Sequence, residues 1–308
     1  MPVEHPKVAI LLAAYNGMQW IEEQLASILG QTAVDVTVYI SIDPSTDGTE
    51  AWCADYAAHH NPRIIVLPEV GTFGGASRNF FRLIRDVDLE GYDFIAFADQ
   101  DDIWNPDKIE RAIRSIESLG VDAYSSNVIA FWPDGRNQLL DKAQPQTRWD
   151  FLFEAAGPGC TYVMSRKMMR PLKASLLKHW DPLQRVSLHD WYCYAFARSH
   201  GLLWFIDPLP SMRYRQHESN QIGANTGINP LIARYKTIHD GWWFSQIRMI
   251  AQLVGLADDP FVRQWLSLGR RQLLRLSLNA GECRRRTRDK VFFFFICCAT
   301  AVIRKKTK

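Results

Sequence analysis

Four short apolar runs in the first third of the chain each stop at a polar or glycine-rich cluster, with helical spacing filling the gaps between them. Val8 to Ala14 is apolar throughout and ends at Tyr15-Asn16-Gly17, after which Trp20, Ile21, Leu25, Ile28 and Leu29 recur as on one helix face. "VTVYISI" at 36–42 stops at "DPSTDGTE", whose Thr and Asp residues can cap a helix over 49–60. "RIIVLP" is a third short strand, followed by the glycine loop of "GTFGGASRNFFRLIRD" and a helix from Ala76. "YDFIAFAD" is the fourth, and it ends in the acidic cluster "DQDD" at 99–102. Such β-α alternation predicts an α/β fold, with a mostly parallel central sheet flanked by helices. Ligands of open α/β sheets lie beyond the carboxyl ends of the strands. The clusters at 13–17, 43–48 and 99–102 should therefore meet at one crevice.

Beyond residue 120 the pattern loosens. "DAYSSNVIAFW" reads as one strand, "GPGCTYVMSRKMM" as a glycine turn leading into a strand and a helix, and "HDWYCYAFARSHG" as a helix closed by Gly201. "LLWFIDPLPSMRYRQH" reads as two strands around a proline turn. A length of 308 residues accommodates one large α/β domain with an appendage or two small domains, and 47% apolar residues against 22% charged favour a globular chain.

Charge divides the chain where composition shifts, near Asn229. Residues 1–228 carry 20 Lys and Arg against 28 Asp and Glu, whereas residues 229–308 carry 16 against 5. The expected organisation is an acidic α/β body over 1–228 and a basic, amphipathic helical extension over 229–308. A basic segment interleaved with Leu, Phe and Ile suits an anionic membrane surface better than nucleic acid. Within it, "VFFFFICCATAVI" at 291–303 is apolar for 13 residues between "CRRRTRDK" and "RKKTK". As a helix that run would extend about 20 Å, short of the roughly 30 Å hydrocarbon core of a bilayer. It should lie in the interface of a leaflet, helped by "RRQLLRLSL" at 270–278, or pack on the body or on another subunit.

The six cysteines form no CxxC pair and no regular framework, so neither a zinc site nor a disulfide scaffold is indicated, and a reducing cytoplasm fits. Asp43, Ser45, Asp47 and Gly48 match the first positions of a calcium-binding EF-hand loop, but the bidentate acid would fall on Ala54 and the preceding segment is a strand. "GTFGGA" is not a dinucleotide fingerprint and follows the third strand instead of the first. The "DQDD" carboxylates can share a divalent cation, Mg²⁺ or Mn²⁺, with substrate phosphates. The same residues can also simply cap the helix that begins near Pro106.

The order of the motifs "LLAAYNG", "DPSTDGT", "GGASRNF" and "ADQDDIWNPDKI" resembles that of the family 2 glycosyltransferases with a GT-A fold. "HDWY" at 189–192 and "YRQHESNQIG" at 214–223 extend the resemblance to the bacterial rhamnosyltransferase-like members, over about residues 7–223. The resemblance implies that Ala13, Tyr15 and Asp43 hold the base and ribose of a nucleotide-sugar donor, dTDP-L-rhamnose or a UDP-sugar. It implies that Arg78 approaches the base or diphosphate and that Asp99 contacts the ribose side. Asp101 would coordinate the cation bridging the phosphates, and His217 would be a further metal or diphosphate ligand. Asp190 would be the catalytic base. Gly159 would lie beside a saccharide or lipid-linked saccharide acceptor, and Trp191 either forms an acceptor platform or belongs to the core. One departure stands out: the family often has paired acids at the end of its second strand, where this chain has Ile42-Asp43-Pro44.

One base and one metal suffice for an inverting transfer in surface-polysaccharide assembly. The expected location is cytoplasmic, peripheral on the inner face of the membrane, with association into a homo-oligomer left open. Two alternatives remain at this level: a UDP-hexose-dependent transferase of the same fold, and a non-catalytic sugar-nucleotide-binding scaffold recruited to the membrane. Asp99, Asp101 and Asp190 together argue against the scaffold.

Overall fold

The computed structural model describes residues 4–217 and 241–303. Residues 218–223 of the "YRQHESNQIG" motif, the expected boundary at 228/229 and the basic stretch 304–308 lie outside the described residues. The chain forms two compact units.

In the first unit a seven-stranded sheet is built around β1 (Lys7–Ala14), which pairs in parallel with β2 (Asp35–Ile42) on one side and β4 (Phe94–Asp99) on the other. β1 is buried from Val8 onward because helices cover both faces of such a sheet, which is why the run is apolar without alternation. β3 (Ile64–Val66) completes the β2 edge. The connecting helices form where the spacing predicts. α1 (Ile21–Leu29) buries Ile21, Leu25 and Ile28, and α2 spans Thr49–His60. α3 (Ala76–Asp86) buries Phe80, Phe81, Leu83 and Ile84. α4 (Lys108–Leu119) buries Ile109, Ala112, Ile113 and Ile116 and stops at Gly120, whose φ of 63° is the left-handed value that glycine adopts freely.

The expected single strand over "DAYSSNVIAFW" is two strands belonging to different sheets. β6 (Ala123–Ser126) joins the large sheet, and β7 (Val128–Phe131) joins a four-stranded sheet with β5 (Ile103–Trp104), β8 (Asn137–Leu140) and β11 (Met212–Arg215). The chain changes sheet at Asn127, whose buried amide donates to Pro208 O (2.9 Å) and Asp141 Oδ1 (3.1 Å) while its Oδ1 accepts from Lys142 N–H (2.6 Å). The proline turn does the same for its two strands. β10 (Trp204–Asp207) pairs with β6 in the large sheet, and β11 pairs with β7 in the small one. β9 (Val163–Ser165) runs antiparallel between β4 and β6 and leads into α5 (Arg166–Lys178). A short helix, α6 (Trp180–Leu183), precedes α7 (His189–Ser199).

The second unit gathers residues 144–155 and 194–200 with the described part of the C-terminal segment. Its helices Trp242–Leu253, Arg270–Leu278 and Thr287–Ile303 enclose an aromatic cluster in which Phe153 meets Trp265 (centroids 5.5 Å apart) and Phe293 (5.0 Å). A buried ion group lies beside it. The fully buried Asp150 carboxylate accepts from Arg285 Nη1 (2.9 Å), Arg198 Nη1 (3.1 Å) and Tyr194 OH (2.7 Å).

Candidate active site

The register of the large sheet sets the site. Ala13 of β1 stands opposite Ser41 of β2 and Asp99 of β4, so the first, second and fourth strands end level with one another. The loops beyond them are hydrogen-bonded together. Asn16 N–H donates to Ser45 Oγ (3.0 Å), and Gly17 N–H donates to Thr49 Oγ1 (2.9 Å). Met18 N–H donates to Asp47 Oδ2 (3.0 Å), and the charge-stabilising donors around Asp47 hold its carboxyl below the usual range despite partial burial. The expected meeting of the three polar clusters at one end of the sheet is thus observed.

Gln100, between two aspartates, clamps the first loop. Tyr15 N–H donates to its Oε1 (2.6 Å), and its Nε2 donates back to Tyr15 O (2.7 Å). A Cβ at Gly17 would lie 2.5 Å from Gln100 Oε1, so only glycine admits that contact. The Tyr15 ring is exposed. Asp43 is buried and occupied: its two oxygens accept from Phe73 N–H and Gly74 N–H, both at 2.9 Å, and so hold the glycine turn before α3. Beside that turn the Arg78 guanidinium donates to Phe73 O (3.2 Å) and Gln184 O (2.9 Å).

The acidic cluster has three different environments within four residues. Asp101 Oδ2 lies 2.6 Å from His217 Nε2, and the His217 ring stacks on Trp20 at 4.1 Å. Asp102 is 1% exposed; its Oδ1 accepts from Arg215 N–H (3.1 Å), and its Oδ2 is buried without a hydrogen-bond donor in place. Asp99, at the end of β4, groups with Asp102 and the Cys160 thiol, their ligand atoms all within 4.8 Å of one another. Burial, reinforced by the neighbouring Asp101 charge, raises Asp99 to about 7 and pushes Asp102 well above the carboxylate range.

Beneath the cluster Lys108 is fully buried, with Nζ donating to Cys160 O (2.9 Å) and sitting 3.2 Å from the Trp104 ring centroid. Burial lowers it to about 7, while the Asp102 and Asp99 charges act in the opposite direction. Crowded carboxylates with an unsatisfied buried oxygen and, among the described residues, the single ammonium of Lys108 beside them are a donor set that fits a hard divalent cation. Burial raises the Cys160 thiol well above its usual value, and its soft sulfur suits a hard, oxygen-seeking cation less well than the carboxylates beside it.

The turn at 159–160 links this cluster to Asp190. Cys160 faces Asp99 and Asp102, while a Cβ on Gly159 would lie 2.8 Å from His189 Nε2 and 3.1 Å from Asp190 Cβ. Asp190 lies in the first turn of α7, accepts from Trp191 N–H (2.7 Å), and is raised to about 6 by burial. His189 stacks on Phe80 at 3.9 Å, and burial drops it to about 3, which leaves it neutral. Trp191, for which core and acceptor platform both stood open, is 3% exposed.

Residues 9–168 match the family model "Glycosyl transferase family 2". The chain is 46% identical, over 91% of its length and 96% of the relative's, to the dTDP-rhamnosyl transferase RfbG of Shigella flexneri. The chain belongs to glycosyl transferase family 2. A more distant relative is 26% identical over 53% of this chain and 62% of its own: the Escherichia coli UDP-Glc:alpha-D-GlcNAc-diphosphoundecaprenol beta-1,3-glucosyltransferase WfgD. Among solved structures, Staphylococcus aureus TarS residues 1–349 share the fold, with a TM-score of 0.56 at 13% identity over 98% of this chain and 93% of that one.

Sequence reasoning passed over Gln100, Lys108 and Cys160. Gln100 reads as a spacer between acids, and Lys108, in the first turn of an amphipathic helix, reads as a solvated charge. The only signal for Cys160 was its place inside "GPGCTY", a glycine turn followed by a buried strand.

Proposed function

We propose that the chain is an inverting, cation-dependent glycosyltransferase that moves L-rhamnose from dTDP-L-rhamnose to a saccharide acceptor in surface-polysaccharide assembly. The single observation that carries the donor is the near full-length similarity to RfbG. Ala13, Tyr15, Asp43 and Arg78 surround the nucleotide, with Asp43 acting through the 73–74 turn it holds. Asp99 faces the ribose. Asp101 and His217, with Asp102 behind them, hold the Mg²⁺ or Mn²⁺, which when bound neutralises charge on the diphosphate.

Asp190 takes the proton from the acceptor hydroxyl. Its raised value of about 6 keeps it ionised at neutral pH yet basic enough to accept that proton. Gly159, having no side chain, leaves room for His189 and Asp190 at the acceptor side, and Trp191 supports them from within the core. The acceptor is carried on a lipid, and the enzyme works in the cytoplasm, peripheral on the inner face of the membrane. Product analysis by proton NMR tests this reading. A new rhamnoside of anomeric configuration opposite to the donor's is expected. Retention would overturn the inverting mechanism, and efficient hexose transfer from a UDP-sugar would overturn the donor.

A further inference from the structure

The second unit carries a surface that the reaction does not use. From Val291 to Val302 the exposed positions of the helix Thr287–Ile303 are Val291, Phe294, Phe295, Ala299 and Val302, which recur on one helix face and include no charge. Phe295 is 62% exposed and Val302 74%. The opposite face, through Phe293, Ile296, Cys297 and Ala301, is buried. The helix packs against Arg270–Leu278, where Arg270 Nη2 donates to Val302 O (3.2 Å), and that second helix exposes Leu274 and, at 78%, Leu278. Packing in the protein and presenting apolar side chains outward are therefore simultaneous properties of the same helix.

Apolar side chains this large, aligned on one face, mark a surface that something covers. Charge decides what. Residues 270–308 contain 12 Lys and Arg against 2 Asp and Glu; Arg284 and Arg285 are paired with Glu154 and Asp150, while Arg270, Arg271, Arg275 and Arg288 are exposed. Arg271 and Arg275 are exposed on the same helix as Leu274 and Leu278. Two copies joined about a two-fold axis through this face would set basic rim against basic rim. An anionic leaflet meets it with opposite charge and receives the apolar stripe.

We infer that the paired helices Arg270–Leu278 and Thr287–Ile303 form a monotopic docking face for anionic phospholipid, inserting Leu274, Leu278, Val291, Phe294, Phe295 and Val302 below a rim of arginines. Among the described residues no helix is long and apolar enough to cross a membrane, so the pair lies in the plane of the interface. The inference rests on the proposed membrane location, but its test needs neither donor nor acceptor. Failure of vesicle binding and failure of rhamnosyl transfer to a soluble acceptor are separate results.

The test is flotation of the full chain with vesicles of phosphatidylglycerol and phosphatidylethanolamine, beside vesicles of phosphatidylcholine alone. The chain should float with the anionic vesicles and far less with the neutral ones. Phe294→Ser with Phe295→Ser should reduce partitioning by about tenfold or more. Its unfolding midpoint and its donor binding should be unchanged, because both rings are outside the core. Arg271→Glu with Arg275→Glu should reduce it similarly, as should high salt. Failure of the parent chain to float, or equal flotation of the serine variant, would overturn the inference. So would light scattering that shows a dimer which the serine substitutions dissociate, because the face would then join two copies of the chain.

Discussion

At the scale of single residues, Asp190 carries the most testable consequence. Its carboxyl is raised to about 6 by burial, and only the ionised form accepts a proton. Activity should therefore rise with pH through about 6 and level off above it, measured as kcat/KM across a buffer series. Asp190→Asn should lower kcat by about 10³-fold or more, the scale of a lost general base, while calorimetry finds donor affinity nearly unchanged. The placement of Asp43 and Asp99 at strand ends was legible because each apolar run stops at its acid. Lys108 was not, because nothing local distinguishes a lysine that will be sealed beside the Asp99 and Asp102 carboxylates from one that will face water. Its burial depends on Trp104 and on Cys160, which is 52 residues away in sequence.

At the scale of elements, the loops beyond the strands are held by side chains that look free in the sequence. Asp43 accepts two backbone N–H groups of the 73–74 turn while 5% exposed. Asp43→Ala should cost about 1.5–3 kcal/mol of stability, the worth of hydrogen bonds to a buried charged group, and should weaken donor binding as the turn loosens. Chemical denaturation and calorimetry read the two effects. The elements of the first hundred residues were legible because each strand is one apolar run, α1 and α3 each carry an amphipathic stripe, and α2 follows a run of capping residues. The split at Asn127 was not, because a buried Asn inside "SSNVIAF" resembles an ordinary strand position until Asp141, Lys142 and Pro208 arrive to satisfy it. The antiparallel insertion of β9 was equally hidden, since strand direction follows from distant pairing.

At the scale of the whole molecule, an acidic first part and a basic end suit the two tasks proposed for them: chemistry at the strand ends in one unit, and lipid docking in the other. The second unit depends on Asp150, which is fully buried against Arg285 and Arg198. Asp150→Ala should destabilise that unit by about 3–5 kcal/mol, because removing one partner leaves buried guanidinium charge uncompensated. Thermal unfolding followed by tryptophan fluorescence would show it. The basic extension was visible in composition, whereas the recruitment of 144–155 and 194–200 to the same unit was not, since their aromatic residues fit any core. The central claim is a cation-assisted site for dTDP-L-rhamnose, and calorimetric titration of that donor beside UDP-glucose, each with and without Mn²⁺, tests it most directly. The account predicts binding of dTDP-L-rhamnose that strengthens with Mn²⁺ and is weakened by Asp101→Ala; preferred binding of UDP-glucose, or affinity indifferent to the cation, would contradict it.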